Sequence, residues 1–200
     1  MAGVAQLRSV AELVEHVQSG APVDMVLFWG HRAAKDGSVT KSCFSQWFEA
    51  AFTLDGIRYA SAEQYMMAEK ARLFNDDAVL GRILEASAPD AVKALGREIG
   101  NFNEEVWRSH RWEIVVRANQ AKFSQNPALQ AFLVQTGDQV LVEASPVDRI
   151  WGIGLAADDA RARQPAAWNG LNLLGFALME VRSRLAPRDA EETSAHLLPQ

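Results

Sequence analysis

The sequence predicts an α+β fold, a mainly helical single domain with a small β-sheet that includes a hairpin. Most of the chain carries apolar residues at helical spacing, and only short runs have the character of strands. Asp55-Gly56 separates two runs rich in β-branched and aromatic residues, which is the pattern of a tight hairpin. At 200 residues, without an internal repeat or a low-complexity linker, the chain has the length of one domain.

Two further runs predict strands outside the hairpin. Asp24 to Trp29 is a short apolar run closed by Gly30, and Gln139 to Ala144 alternates as a strand does. The polar segment from His31 to Lys41 predicts a loop, and functional residues often lie on such loops.

Helices account for most of the remaining chain. Ser61 and Gln64 form a capping-box pattern, and Ser87 is the expected N-cap of a later helix. We expect residues 1–23 to form an N-terminal helical extension, residues 24–185 the domain itself and residues 186–200 a disordered tail. The predicted helices run from Leu7 to Gln18, Ser61 to Asp76, Asp77 to Ala86, Pro89 to Ile99, Asn103 to Gln125, Asn126 to Val134, and from the turn after Trp168 to Leu185.

Composition and charge narrow the class of protein. The chain is 48% hydrophobic and 22% charged, without an apolar run near the length of a membrane span. No signal-peptide pattern opens the sequence and Cys43 is the lone cysteine, so we expect a cytoplasmic protein without membrane contact. The net charge of −5 argues against sequence-independent binding along a duplex. The same net charge is compatible with a local contact between the protein and modified nucleic acid.

Familiar catalytic motifs are absent from the sequence. It contains no phosphate-binding Gly-Lys-Ser/Thr loop, no CxxC pair, no HExxH and no GxSxG. The four histidines lack the spacing of metal ligands, so we predict neither a metal nor a cofactor. Among these histidines, only His31 is a candidate site residue.

The helix from Ser61 to Asp76 carries two charges in the middle of its apolar face. Glu63 and Lys70 are seven residues apart, so they lie about 20° apart around the axis and about 10 Å apart along it. One interpretation is that Lys70 lies at the edge of the core and extends its ammonium group to water. The other is that both groups face a pocket where desolvation leaves a neutral amine, able to attack a carbonyl or sugar carbon. The helix alone leaves both open.

The loop from Ser145 to Leu155 is the second candidate. Asp148 lies three residues before Trp151, and Gly152 frees the backbone that follows. A structural interpretation is a tight turn capped by Asp148, with Trp151 in the core. A functional one is a nucleotide-sized rim, where the indole stacks on a base or ribose and Asp148 binds sugar hydroxyls.

Further candidates for substrate binding come from loops rich in tryptophan, asparagine and glycine. Six tryptophans are many for one domain, and four of them lie in or beside predicted loops. The amides that precede the last helix add hydrogen-bonding groups at a helix N-terminus. The predicted substrate-binding residues are Trp29, Gly30, Trp47, Trp151, Gly152, Trp168, Asn169 and Asn172.

Six motifs together resemble the NADAR family of YbiA-like N-glycosidases, in the order in which that family has them. They are FWG at Phe28 to Gly30, CFSQW at Cys43 to Trp47, EQYMMAEKA at Glu63 to Ala71, KFSQNPAL at Lys122 to Leu129, VEASPVDRIWGIG at Val142 to Gly154 and WNGLNLLGFALMEVR at Trp168 to Arg182. The resemblance extends from about Asp24 to Leu185. It implies a mainly helical α+β fold and hydrolysis of N-glycosidic bonds at ribose. The matching site positions are Glu63, Lys70, Asp148, Trp151 and Asn172.

The resemblance implies two classes of substrate, phosphoribosylamino-pyrimidine intermediates of riboflavin synthesis and ADP-ribose attached to guanine bases. The acidic balance favours the small intermediate. The expected mechanism is attack of neutral Lys70 on C1′ to give an imine, with Glu63 or Asp148 as the acid. Direct attack of water is the alternative chemistry. A non-catalytic module that binds ADP-ribose or NAD is the alternative of another class.

Overall fold

The computed structural model of the protein describes residues 4–86 and 88–186, where it has the predicted α+β fold. The expected N-cap Ser87 and the expected tail from residue 187 onward lie outside the described residues. None of the described helices is both long and apolar enough to cross a membrane. The helices are α1 (Val10–Gln18), α2 (Ala62–Leu73), α3 (Asp77–Glu85), α4 (Pro89–Glu98), α5 (Glu104–Ser124), α6 (Pro127–Val134) and α7 (Leu173–Leu185); the strands are β1 (Met25–Phe28), β2 (Phe52–Leu54), β3 (Ile57–Tyr59) and β4 (Val140–Glu143).

The strands form two small sheets. β1 and β4 pair in parallel, with Phe28 opposite Glu143. The hairpin of β2 and β3 is a separate antiparallel sheet, and its turn has the positive φ angles expected of an Asp-Gly turn, 51° at Asp55 and 77° at Gly56. Because β1 and β4 are parallel, the segments that follow Phe28 and Glu143 leave the sheet at the same end, where the carboxyl ends of both strands lie.

Helix α2 lies at the centre of the helical layer, in contact with α3, α4 and α5. It begins as predicted, since the Ser61 hydroxyl accepts a hydrogen bond from the backbone N–H of Gln64. The Gln64 side chain is buried, and its amide donates to the Ile83 and Ala86 carbonyl groups at the end of α3. Carbonyl groups at a helix end lack intrahelical partners, so a buried glutamine satisfies them.

The N-terminal helix packs on the main body of the fold. Leu13 of α1 is completely buried, and α1 contacts the short 3-10 turn of Pro165–Ala167. Arg8, just before α1, forms an ion pair with Glu180 of α7. These contacts join the predicted N-terminal extension to the last helix.

Asn172 connects β4, the loop after it and α7. Its φ angle of 52° places it in the left-handed region, just before α7 begins. Its side-chain oxygen accepts from the backbone N–H of Glu143 at 2.9 Å, and its side-chain nitrogen donates to the Leu141 carbonyl at 2.9 Å. Gly175 allows this approach, because a Cβ there would overlap the Leu141 carbonyl oxygen and the Asn172 amide.

Gly175→Ala is therefore expected to destabilise the protein by about 2 kcal/mol or more, since the added methyl group meets backbone that cannot yield. Gly81→Ala on α3 is the matched control, because a Cβ there has no atom within 4 Å. Alanine in that helix should stabilise by about 0.5–1 kcal/mol. Urea unfolding of both variants measures the difference. Equal stability of the two variants would contradict the close approach of α7 to β4.

Candidate active site

A cleft of about 240 Å³ opens between α2, α4 and the carboxyl ends of the parallel strands β1 and β4. Four parts of the chain contribute to it: the segment before the hairpin, one face of α2, one face of α4 and the end of β4 with the loop that follows. The lining residues are Ser45, Gln46, Trp47, Glu63, Met66, Met67, Lys70, Lys93, Gly96, Arg97, Glu143, Asp148, Ile150 and Trp151.

The cleft brings together all three residues proposed from the sequence as catalytic, Glu63, Lys70 and Asp148. Trp47 and Trp151, two of the predicted substrate-binding residues, also line it. These residues come from three segments that are far apart in the sequence. Their convergence is a property of the fold that no single motif contains.

Glu63 is a buried carboxyl group, with 4% of the residue exposed. Its pKa is raised to about 7, chiefly by burial and also by the negative charge of Asp148, against the lowering effects of Lys93, Trp47 and Lys70. Glu63 is fixed by its backbone, because its N–H donates to the Gln46 carbonyl at 2.9 Å. A carboxyl group with this pKa can hold a proton at neutral pH and release it during a reaction.

Glu143, a half-buried residue at the end of β4, is a second acid of the cleft that no sequence pattern had indicated. Its pKa is raised to about 8, chiefly by burial and also by the charges of Asp148 and Glu63, against the lowering effect of Lys93. Its Oε2 atom is buried without a hydrogen-bonding partner among the described residues. One signal could have found it: Glu143 is the polar residue that ends an apolar strand, and ligands of parallel sheets bind outside the carboxyl ends of the strands.

Asp148 has the structural role of a turn cap and also lines the cleft. Its Oδ1 accepts hydrogen bonds from the backbone N–H groups of Ile150 and Trp151, both at 2.8 Å. These bonds shape the loop so that the Trp151 side chain meets the cleft. The two interpretations of this loop are therefore compatible.

Lys70 is half-buried beside α4. Its Nζ donates to the Gly96 carbonyl at 2.7 Å and lies 4.4 Å from the centre of the Phe102 ring. Burial lowers its pKa, against the opposing effects of the Glu104 and Glu63 charges. Gly96 makes this approach possible, since a Cβ at that position would overlap the Met67 side chain. The amine is thus held at the cleft wall, where burial makes it easier to deprotonate than a solvated lysine.

Two further cations on α4 line the cleft and were missed from the sequence. Lys93 and Arg97 are one helical turn apart, so they share a face of the helix. The Lys93 Nζ lies 5.1 Å from the centre of the Trp47 ring. Exposed cations at this spacing are common on helix surfaces, and nothing in the sequence distinguishes this pair.

Two buried polar residues of α5 hold the segment that carries Trp47. Lys122 is completely buried, and its Nζ donates to the carbonyl groups of Cys43 at 2.6 Å and Ser45 at 2.8 Å. Burial lowers its pKa to about 7. One turn earlier, the Asn119 amide donates to the Gln46 side chain at 2.8 Å. The contacts fix the short 3-10 helix of Lys41–Phe44 and the residues that follow it at the cleft wall.

Six of the predicted substrate-binding residues do not line the cleft, and the amides among them correct the sequence analysis. Both polar atoms of the buried Asn172 side chain bind β4, so this residue positions the backbone of Glu143. Asn169 is exposed outside the cleft, and the Trp168 indole donates to the Ala162 carbonyl at 2.9 Å.

The other predicted substrate-binding residues outside the cleft are two glycines and a tryptophan of the loop after β1. Gly152 provides close packing, because a Cβ there would lie 2.7 Å from the Glu143 carbonyl oxygen. Trp29, which is 60% exposed, and Gly30 follow β1 outside the lining. His31 lies 5.4 Å from Trp47 between ring centres, next to the cleft. Among residues 4–86 and 88–186, no group of three or more His, Cys, Asp or Glu side chains is arranged to hold a metal ion.

The raised pKa values of Glu63 and Glu143 predict that stability falls between about pH 5.5 and about pH 7. In this range the folded protein retains protons on both groups, whereas the unfolded chain, with ordinary carboxyl pKa values, has released them. Unfolding then releases protons, so it becomes more favourable as pH rises. Glu63→Gln and Glu143→Gln should each flatten the dependence of the melting temperature on pH.

Glu113→Gln, which removes an exposed carboxyl group on α5, is the control and should leave the slope unchanged. Melting curves over this pH range provide the measurement. A wild-type protein whose stability rises over the range would show that neither acid is protonated in the folded state.

Buried acids and a desolvated amine in one cleft of a mainly helical α+β domain define a candidate hydrolytic active site. The NADAR domain matches residues 27–186, and the chain belongs to this family, as the motifs predicted. N-glycosidase R617 of Acanthamoeba polyphaga mimivirus is 49% identical over 144 residues, which cover 70% of this chain and 85% of that protein. N-glycosidase YbiA of Escherichia coli (strain K12) is 30% identical over 143 residues, which cover 72% and 81% respectively.

The fold has a relative among solved structures. The NMR structure of the E. coli protein YbiA matches with a TM-score of 0.67 at 26% identity, over 87% of this chain and 92% of that chain. The likeness confirms the predicted fold class.

Proposed function

We propose that the cleft hydrolyses the N-glycosidic bond at ribose C1′. The observation that carries this proposal is that Glu63 and Glu143, each with a raised pKa, line the same cleft as Lys70, whose pKa is lowered. Cleavage of such a bond requires a proton for the leaving base and a nucleophile at C1′, and these groups supply both. The names of the two relatives support this class of reaction.

The expected reaction begins with proton transfer from a buried carboxyl group to the leaving base. The lone pair of the neutral Lys70 amine forms a bond to C1′ while the C1′–N bond breaks and its electron pair leaves with the base. Opening of the C1′–O4′ bond then gives an imine, and O4′ gains the proton lost by the amine. Water hydrolyses the imine, which frees the sugar aldehyde and restores the amine.

The side chains around the reacting groups take separate roles. Glu63 is the preferred acid, because it lies on the same helix face as Lys70 and has the pKa closest to neutral pH. Glu143 holds a ribose hydroxyl with its unpartnered Oε2 atom. The hydrogen bond from Lys70 to Gly96 uses one N–H of the amine and orients its lone pair.

The size and charge of the cleft support a phosphorylated ribosyl substrate. Its volume of about 240 Å³ is below the roughly 300–1,000 Å³ of sites that enclose a drug-sized ligand. The cleft would enclose the ribosyl group and leave other parts of the substrate at the rim, where Lys93 and Arg97 favour anions. We propose phosphoribosylamino-pyrimidine intermediates of riboflavin synthesis as the substrate class, as the sequence predicted.

Removal of ADP-ribose from guanine bases is the second candidate. One observation favours it: a depression lined by Arg108 and Arg111 lies beside the cleft and could accept a further anionic group. A substrate with two phosphoryl groups would use both places.

Trapping the imine tests the mechanism. Each candidate substrate is incubated with the protein and cyanoborohydride, and the products are measured by mass spectrometry. We expect release of the base and a ribosyl adduct on Lys70. Lys70→Ala should lose the adduct and reduce base release by at least about a thousandfold. Lys35→Ala, which removes an exposed lysine outside the cleft, is the control and should retain both.

The other outcomes are equally informative. Base release without an adduct would make Lys70 a binding group and favour direct attack of water. Tight binding of a substrate without base release would contradict the enzyme and indicate a binding module. Glu63→Gln and Glu143→Gln separate the two acids, because loss of the acid should reduce turnover by about 10²–10⁴-fold. Loss of a hydroxyl contact should mainly raise KM.

A further inference from the structure

Arg111 is a buried cation that makes no hydrogen bond through its side chain within residues 4–86 and 88–186. The residue is 7% exposed. Its nearest acidic partner is Glu104, at 3.8 Å between Nη1 and Oε1, and that carboxylate is largely exposed. A guanidinium group has five N–H donors, and those of Arg111 keep contact with solvent, so they can donate to a ligand that arrives from solvent.

The part of Arg111 that solvent reaches faces a depression of about 540 Å³ on α5. Glu105, Arg108, Ser109, Arg111, Trp112 and Leu173 line it. Burial lowers the pKa of Arg111, and the charge of Arg108 lowers it further. Two guanidinium groups that repel each other in the free protein would both gain from a shared anion.

The depression and the cleft share a wall. Leu173 lines the depression, and its backbone N–H donates to the carbonyl of Ile150, which lines the cleft, at 3.2 Å. Asp148, on the same loop, is near enough for its charge to raise the pKa of Arg111. A substrate with its ribosyl group in the cleft could extend past Ile150 to these arginines.

We propose that Arg111 and Arg108 form a second binding site, which takes a phosphoryl group of the substrate whose ribosyl group lies in the cleft. This inference rests on the proposed function. The forked geometry of guanidinium matches phosphate oxygens, and the Trp112 ring and Leu173 provide an apolar surface beside it. The exposed Glu104 and Glu105 carboxylates can turn to water when the anion binds.

Titration calorimetry at low salt tests the site without turnover. Orthophosphate represents a monoester and pyrophosphate a diphosphate, and both are titrated into the wild-type protein, Arg111→Met, Arg108→Gln and Arg117→Gln. Arg117 is the matched control, since it is an exposed arginine of the same helix paired with Asp55 at 2.8 Å. We expect Arg111→Met and Arg108→Gln to weaken binding by on the order of tenfold or more. Arg117→Gln should bind as the wild type does.

The melting temperature provides a second readout that a structural arginine would not give. Without an anion, Arg111→Met should melt within about 2 °C of the wild type, because the guanidinium group still meets solvent in the depression and its ion pair is with the exposed Glu104. Pyrophosphate should stabilise the wild type and leave this variant unchanged. If Arg111→Met does not fold, the exposed Arg108→Gln still tests the site.

Two outcomes would overturn the site. One is that the wild type binds neither anion. The other is that Arg111→Met and Arg108→Gln bind both anions as the wild type does, which would place the anion elsewhere. Preference for pyrophosphate over orthophosphate would assign the site to a diphosphate, and equal binding would assign it to a single phosphoryl group. Failure of base release with anion binding intact would contradict the proposed function alone.

Discussion

The side-chain amide of Asn172 is the interaction on which the geometry of the cleft depends. It is completely buried, and it closes two hydrogen bonds on β4 that a strand without a further neighbour could not otherwise make. The loop that carries Asp148 and Trp151 begins at this strand, and α7 begins directly after Asn172. One side chain thus ties three parts of the chain together. The glycines at positions 152, 170 and 175 follow from this constraint, because each lets backbone approach where a methyl group would not fit.

A second constraint is that the fold buries ionisable groups at its centre. Glu63 lies on α2 among residues that belong to the core, and Lys122 lies on the face of α5 that meets the segment before the hairpin. The buried lysine is satisfied by two carbonyl groups, whereas Oε2 of Glu143 has no hydrogen-bonding partner among the described residues. Lysine burial therefore serves the structure, and acid burial changes the chemistry of the cleft at a cost in stability.

Local patterns predicted the elements of the fold well. The Ser61 cap and the Asp55-Gly56 turn each depend on a few adjacent residues, and both are present. The shared helix face of Glu63 and Lys70 follows from spacing in the same way, but spacing alone did not decide whether that face met a pocket or water. Burial of Gln64 did not follow, because it depends on carbonyl groups of another helix.

The residues of the site that the sequence did not predict are those brought to the cleft by tertiary packing. Glu143, Lys93 and Arg97 reach the cleft only because β4 and α4 meet α2, and no motif records that meeting. Asn172 was identified as important, but its role was misassigned. An asparagine before a helix has the same sequence signature whether its amide binds a ligand or a strand, and only the position of β4 decides between them.

The burial of Cys43 has a consequence for how motion of the cleft wall can be observed. Its thiol is inaccessible, burial raises its pKa to about 11, and its carbonyl oxygen is bound by Lys122. A thiolate is the form that reacts with alkylating reagents, so this cysteine reacts only when the segment detaches from α5. Because the chain has one cysteine, its alkylation rate reports how often the segment that carries Cys43 and Trp47 opens away from α5.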